Sequence, residues 1–265
     1  MFRLFAGAVL AAPLISPAIA QAEPRYSIEH PARGVTIVRD VDGSNSVLIE
    51  GAQAIVIDTQ PPGRSAALDA ALKSPVAWIV NTHEHEDHNG GNAHFLAAGA
   101  KLQRGGDASR DWRKAASLKS GRWLLKILSV PPAHTGADRI VAIAPADIVL
   151  MGDLFVNLGA FPYLDAAAGA DVRGLVPALD AALQRIGEKT LVVPGHGPLA
   201  RRAQLVAWRD MVAEIIDGVA KAKAQGRSLE AVQALGLARK WETNKRPAAG
   251  LAAEAFIAAA YKNLP

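Results

Sequence analysis

Cysteine is absent from all 265 residues of the chain. There is therefore no disulfide, no thiolate metal ligand, no cysteine nucleophile and no lipidated cysteine to act as a membrane anchor. Aromatic residues are scarce, at 5%. No dense basic patch interleaved with aromatics occurs, so nucleic acid is not an expected partner. Long apolar runs are equally rare. Only residues 4–20 form one, and no later segment is long and apolar enough to cross a bilayer. That run follows Arg3, is broken by Pro13 and Pro17, and ends in Ala18-Ile19-Ala20, with Ala20-Gln21-Ala22 as a second register. This is the layout of a secretory signal peptide. We expect residues 1–20 to be removed on export to the periplasm, leaving 21–265 as one domain with no stable membrane anchor. Removing Arg3 leaves 28 bases against 25 acids, a mild excess spread along the chain. Half of the whole chain is apolar, enough to bury a sizeable core.

Short runs rich in Val and Ile come first, at 35–39, 46–50 and 54–58, divided by Gly, Asp and Asn turn residues. Apolar spacing predicts a helix over 65–73, then a buried strand over 76–80. Short helices are expected over 92–98 and 111–119. Strands are expected over 123–130, 140–143, 148–151 and 190–193, and a helix over 172–186 despite Pro177. Further helices are expected over 199–224, 229–239 and 251–261. The stripe Leu205, Trp208, Val212, Ile215, Ile216 and Val219 reads as the core-facing side of an amphipathic helix. No repeat or linker is visible. Strands followed by mixed strand and helix indicate an α/β architecture with helices covering sheets.

The seven histidines are distributed unevenly. In NTHEHEDHNGG, residues 81–91, His83, His85 and His88 fall within six positions. Alternate side chains of an extended backbone share a face, so His83 and His85 can reach one ion. Asp87 and His88 suit a second ion close by. More ligand types follow, each just after an expected strand: His134 in VPPAHTGAD, Asp153 in VLMGDLF and His196 in VVPGHGP. Strand-to-loop junctions are where sites form in layered α/β proteins. His94 reads as a helix-surface or packing residue and His30 as solvated.

The HxHxDH motif, with the spaced His134, Asp153 and His196 in the same order, resembles the metallo-β-lactamase-fold hydrolases across essentially all of residues 21–265. The resemblance implies an αββα sandwich with two metal ions at one edge of its sheets. Carried over, His83, His85 and His134 hold the first ion, Asp87, His88 and His196 the second, and Asp153 bridges both. Asp58, ending IVIDT, matches an aspartate that buttresses the metal loops. The ions are expected to be zinc, with iron or manganese also compatible with His and carboxylate ligands. A hydroxide shared by the two ions would attack a carbonyl, and Asp87 can also accept a proton during turnover.

A bridging aspartate resembles glyoxalase II, lactonases and other ester or thioester hydrolases more than the zinc β-lactamases. The expected substrate is a small ester, lactone or thioester. A β-lactamase and a non-catalytic periplasmic metal-binding accessory protein are the alternatives. Phe155, Phe161 and Tyr163 follow the bridging ligand closely and are expected to line the substrate pocket. Tyr163 either donates a hydrogen bond to a leaving oxygen or packs under its loop. The span from Gly91 to His134 is short for the family, so two strands there are expected to be trimmed or replaced by the 111–119 segment. Oligomeric state is not legible.

Overall fold

A computed structural model of the chain describes residues 26–242 and 251–265. The expected signal peptide lies outside the described residues. Two sheets form. The first runs in the order β1 (Ser27–Ala32), β2 (Val35–Arg39), β3 (Asn45–Ile49), β4 (Ala54–Ile57), β5 (Val76–Val80), β6 (Lys101–Leu102). The second runs β11 (Leu191–Val193), β10 (Ile148–Leu150), β9 (Arg139–Ala144), β8 (Trp123–Ser129), β7 (Ala116–Ser120).

Side-chain alternation explains why the sheets stack. Successive residues of a strand face opposite ways. Val47, Ile49, Ile55 and Ile57 of the first sheet meet Leu125, Ile127, Val141, Ile143, Ile148 and Leu150 of the second in a dry inner layer. The intervening residues face outward to helices. On one side Leu48, Val56 and Ile79 pack with Leu68 of α1 (Ser65–Ala70) and Phe95 of α3 (Asn92–Ala97). On the other, Leu128, Ile140, Val149 and Val192 pack under α4 (Val172–Arg185), α5 (Arg202–Ala224) and α7 (Ala253–Asn263). The layers read helix, sheet, sheet, helix, the expected αββα sandwich. Leu205, Trp208, Val212, Ile215 and Val219 of α5 are buried in that second outer core, with Ile216 packed at its margin.

Three expectations need correction. Residues 111–119 are not a helix: a single 3-10 turn, Trp112–Lys114, capped by Asp111, gives way to β7, which pairs antiparallel with β8. The 91–134 region therefore keeps strands β6 and β7 instead of losing two. The helix expected over 229–239 stops early as α6 (Leu229–Gln233), with only a 3-10 turn at Arg239–Trp241. Three short elements were not expected from the sequence: β1, β6, and α2 (Glu86–Asn89) inside the histidine cluster. Among the described residues no helix is long and apolar enough to cross a membrane.

Strand direction gathers the loops. β4 and β5 are parallel, as are β10 and β11. β8 and β10 both pair antiparallel with β9 and so point the same way. Loops leaving β4, β5, β8, β10 and β11 meet at one edge of the sandwich. There the Arg139 N–H donates to the Thr82 carbonyl (2.7 Å) and the Asn45 N–H to the Gly195 carbonyl (2.8 Å), tying the two sheets together.

Candidate metal centre

His83 and His85 leave β5, and Asp87 and His88 lie on α2 just beyond. His134 stands on the loop after β8, Asp153 on a 3-10 turn after β10, and His196 after β11. The fold brings all seven together. Ligand-type atoms of His83, His85, His134 and Asp153 lie within 4.8 Å of one another, and so do those of Asp87, His88 and His196. Asp153 sits between the groups: its carboxylate is 3.3 Å from His88 Nε2, 3.5 Å from His196 Nε2 and 3.7 Å from His134 Nε2. Asp87 lies 2.9 Å from His196 Nε2 and 3.5 Å from His88 Nε2.

The outer nitrogens of four rings decide what their inner nitrogens can do. His134 Nδ1 lies 2.8 Å from the Tyr163 carbonyl, which can only accept. His88 Nδ1 lies 2.9 Å from the Asp58 carboxylate, and His85 Nε2 2.9 Å from Asp165. The Thr82 hydroxyl donates to Asp58 (2.7 Å), so it accepts from His83 Nδ1 at 3.2 Å. Each neutral ring therefore carries its hydrogen outward and turns a lone pair inward. His85 Nδ1 faces His83 Nε2 at 3.1 Å and His134 Nε2 at 3.2 Å; His88 Nε2 faces His196 Nε2 at 3.4 Å. Lone pairs at such distances repel unless a cation lies among them. Nitrogens bound to a tetrahedral ion at roughly 2.0–2.1 Å stand about 3.3 Å apart, so the spacing fits one. Asp153 Oδ1 is buried without a hydrogen bond, though His88 Nε2 faces it. Such an orphaned carboxylate oxygen also fits a cation. The donor set, five histidines and two aspartates, has the chemistry of a divalent-metal site.

Electrostatics agree. Burial, reinforced by the neighbouring His88, pushes His83 well below the ordinary histidine value. Burial pulls on His88 too, but the Asp153 and Asp58 carboxylates outweigh it and hold that ring well above the ordinary value. His196 is opposed by burial and raised to about 10 by hydrogen bonds to Asp153 and Asp87. Against burial, His88 and His196 hold Asp153 well below the usual carboxylate range; the same two rings lower Asp87. The carboxylates of Asp58, Asp87 and Asp153 thus favour positive charge on the His88 and His196 side of the cluster, the charge that a bound cation would supply.

Backbone geometry supports the cluster. Asp58 has φ 58° and is buried. It accepts from the Thr82 N–H (2.7 Å) and hydroxyl as well as from His88, which places it directly behind the ligands. A Cβ at Gly195, in the PGHGP turn, would stand 1.9 Å from Asp153 Oδ1, so only glycine leaves room for that carboxylate.

The expected pocket needs redrawing. Phe155 and Phe161 are 2% and 3% exposed and belong to the core under the helices, because the loop after Asp153 turns their rings inward. Phe155 stacks edge-on against Trp208. Tyr163 does not pack under its loop: it is 44% exposed, with its ring 6.0 Å from that of His134 and 6.3 Å from that of His85. A cavity of ≈ 290 Å³ opens onto His134, Asp153 and His196, walled by Val156, Leu158, Tyr163 and Leu251, with Asp42 among its lining residues. Sequence reasoning missed Val156, Leu158 and Leu251, and also Thr82 and Asp165; Thr82, adjacent to His83, and Val156 and Leu158, in the loop after Asp153, had a positional signal. His94 is exposed beside Asp69 (3.3 Å), and His30 is exposed beside Thr36 (3.1 Å).

Residues 39–198 match the family model described as metallo-beta-lactamase superfamily. A hydroxyacylglutathione hydrolase of Polaromonas sp. (strain JS666) is 32% identical over 172 residues, which is 61% of this chain and 64% of that protein. The chain thus spans less than two thirds of that relative's length. A hydroxyacylglutathione hydrolase of Anaeromyxobacter dehalogenans is 30% identical over 203 residues, 74% of this chain and 75% of that protein. Among solved structures, a metallo-beta-lactamase from Pontibacter korlensis superposes with a TM-score of 0.61 at 20% identity, covering 71% of this chain and 99% of its own.

Proposed function

Because the chain belongs to the metallo-beta-lactamase superfamily, we propose that its histidine–aspartate cluster holds two divalent metal ions, zinc by preference, and hydrolyses a small ester, lactone or thioester. One observation carries the reading: four inward lone pairs and an orphaned Asp153 oxygen converge on two adjacent donor groups. When bound, the ions supply Lewis-acid polarisation and a deprotonated water near neutral pH.

The chain's own residues do the rest. His83, His85 and His134 would hold one ion, Asp87, His88 and His196 the other, and Asp153, whose carboxylate faces both groups, would contribute to both. Asp58 and Thr82 keep His83 and His88 in the tautomer that leaves their lone pairs inward. Val156, Leu158 and Leu251 receive the apolar part of the substrate and displace water from it. The exposed Tyr163, whose ring lies beside those of His85 and His134, would donate its hydroxyl hydrogen to a carbonyl or leaving oxygen. Asp87 is partly exposed, and we assign to it the uptake of a proton during turnover because it is the more open of the two ligand carboxylates, with a side chain 29% exposed against 13% for Asp153. Export to the periplasm is part of the proposal. It rests on the N-terminal sequence and is checked by the mass of the protein recovered from that compartment.

The test is one panel of a lactone, a thioester, an aryl ester and a chromogenic β-lactam, each with the zinc-loaded protein with and without chelator. Chelator-sensitive turnover of the oxygen or sulfur esters is expected. Efficient turnover of the β-lactam alone would replace the substrate class with the β-lactamase alternative. Two bound ions with no turnover of any substrate would favour the accessory protein.

A further inference from the structure

We infer that Asp165 is the positioning residue that fixes how His85 addresses the first ion, an inference resting on the two-ion reading above. Asp165 lies 80 residues from His85 in the chain, on the loop that follows β10. Its two carboxylate oxygens have separate tasks. Oδ1 accepts from the N–H groups of Ala167 (3.0 Å) and Ala168 (3.1 Å) and closes a turn. Oδ2 lies 2.9 Å from His85 Nε2. The Asp165 N–H donates to the His134 carbonyl (3.1 Å) and its own carbonyl accepts from Ala170 N–H (3.0 Å), so the backbone cannot swing away without breaking both.

A carboxylate only accepts, so Nε2 must carry the ring hydrogen and Nδ1 must be bare. Nδ1 is the atom that faces His83 Nε2 and His134 Nε2. His85 needs this constraint more than its two companions. Their side chains are 1% exposed and caged by packing, while that of His85 is 23% exposed and has room to flip. Asp165 thus gives the more open ring the hold that the Thr82 hydroxyl and the Tyr163 carbonyl, together with packing, give the other two. The same loop segment holds His134 through the Tyr163 carbonyl and presents the Tyr163 ring to the cavity. The wall that would touch substrate and the groups that aim two metal ligands are therefore one piece of backbone.

Asp165→Asn isolates the effect. The asparagine oxygen keeps the turn to Ala167 and Ala168, because its amide hydrogens would clash with those N–H donors. The amide then points at His85 Nε2, where two donors meet and the opposite tautomer is favoured. Zinc affinity is measured on purified unaltered and variant protein by competition with a chromophoric chelator. One of the two zinc equivalents is expected to weaken about tenfold to a hundredfold, the other to stay as in the unaltered protein, and the metal-free melting temperature to be unchanged. Two equivalents at unaltered affinity would overturn the role of Asp165 and leave the two-ion reading intact. An unaltered protein that binds no zinc overturns both. Should the variant fail to fold, histidine-selective nitrogen NMR of the unaltered metal-free protein at mildly alkaline pH decides. A hydrogen on His85 Nε2 supports the inference, and one on Nδ1 overturns it.

Discussion

Asp58 shows how much one side chain does in this site and how little of it can be read from composition. It sits in the left-handed region at φ 58°, where aspartate and asparagine are the least strained residues after glycine. From there its carboxylate serves Thr82 and His88 at once. Asp58→Asn keeps the backbone and the oxygen that Thr82 N–H needs, but turns an amide donor toward His88 Nδ1–H. His88 is then expected to flip tautomer and turn its lone pair away from Asp153. Zinc at the Asp87, His88 and His196 group should weaken about tenfold to a hundredfold, while urea denaturation of the metal-free protein shows a loss of about 1–3 kcal/mol for the spoiled buried hydrogen bond. Unchanged zinc affinity in chelator competition would remove Asp58 from the metal's support. The seven ligand-type residues were legible because five of the seven histidines of the chain, with Asp87 and Asp153, stand in one cluster or at strand-to-loop junctions in the order of the HxHxDH pattern. Their partners were not. Asp165 and the Tyr163 carbonyl meet the rings only through tertiary folding, and an aspartate in an alanine-rich loop has no local mark. Phe155 and Phe161 failed for the opposite reason: nearness in sequence to Asp153 was read as nearness to substrate, while their apolar bulk went to the core.

Whole elements followed the same division between local pattern and distant partner. The strands β2 to β5 and β8 to β11 were readable because β-branched runs bounded by turn residues are a local signal. Stretch 111–119 was misread because Ala, Leu and Lys favour helix intrinsically, yet β8 offers an edge and tertiary pairing wins. Only Leu118 of β7 is deeply buried, and the other positions carry Ala, Ser and Lys, as an edge strand tolerates. The alternation of β8 gives a direct test of which face is the core. Ile127 is fully buried between the sheets, whereas Leu124 is 37% exposed. Ile127→Ala is expected to cost about 2–5 kcal/mol, and Leu124→Ala to fall within about 0.5 kcal/mol of the unaltered protein. Equal losses by chemical denaturation would mean that the assigned faces of β8 are wrong.

At the scale of the molecule, the site is a seam. The first sheet delivers Asp58, His83, His85, Asp87 and His88 at its edge, and the second delivers His134, Asp153 and His196. The chain has no disulfide to join the two, since it has no cysteine. Backbone bonds such as Arg139 N–H to Thr82 carbonyl close part of the seam, but the ring nitrogens that face one another across it repel in the absence of a cation. Bound ions would reverse the sign of that contact and cross-link the two sheets, so metal binding and folding are coupled. An ion present at a hundredfold excess over its dissociation constant contributes about 2.7 kcal/mol by mass action. In a domain of this size each kcal/mol moves the melting temperature by about 2–4 °C. Stripping the protein with chelator is therefore expected to lower its melting temperature by about 5–10 °C for each ion removed, and restoring zinc should recover it. His83→Gln, which takes one ligand from the first-sheet side, should show a smaller shift on stripping than the unaltered protein, because it has less bound metal to lose. A melting temperature that ignores both chelator and zinc would mean that the seam is held without metal, and the two-ion reading would fail on stability grounds before any substrate was tried.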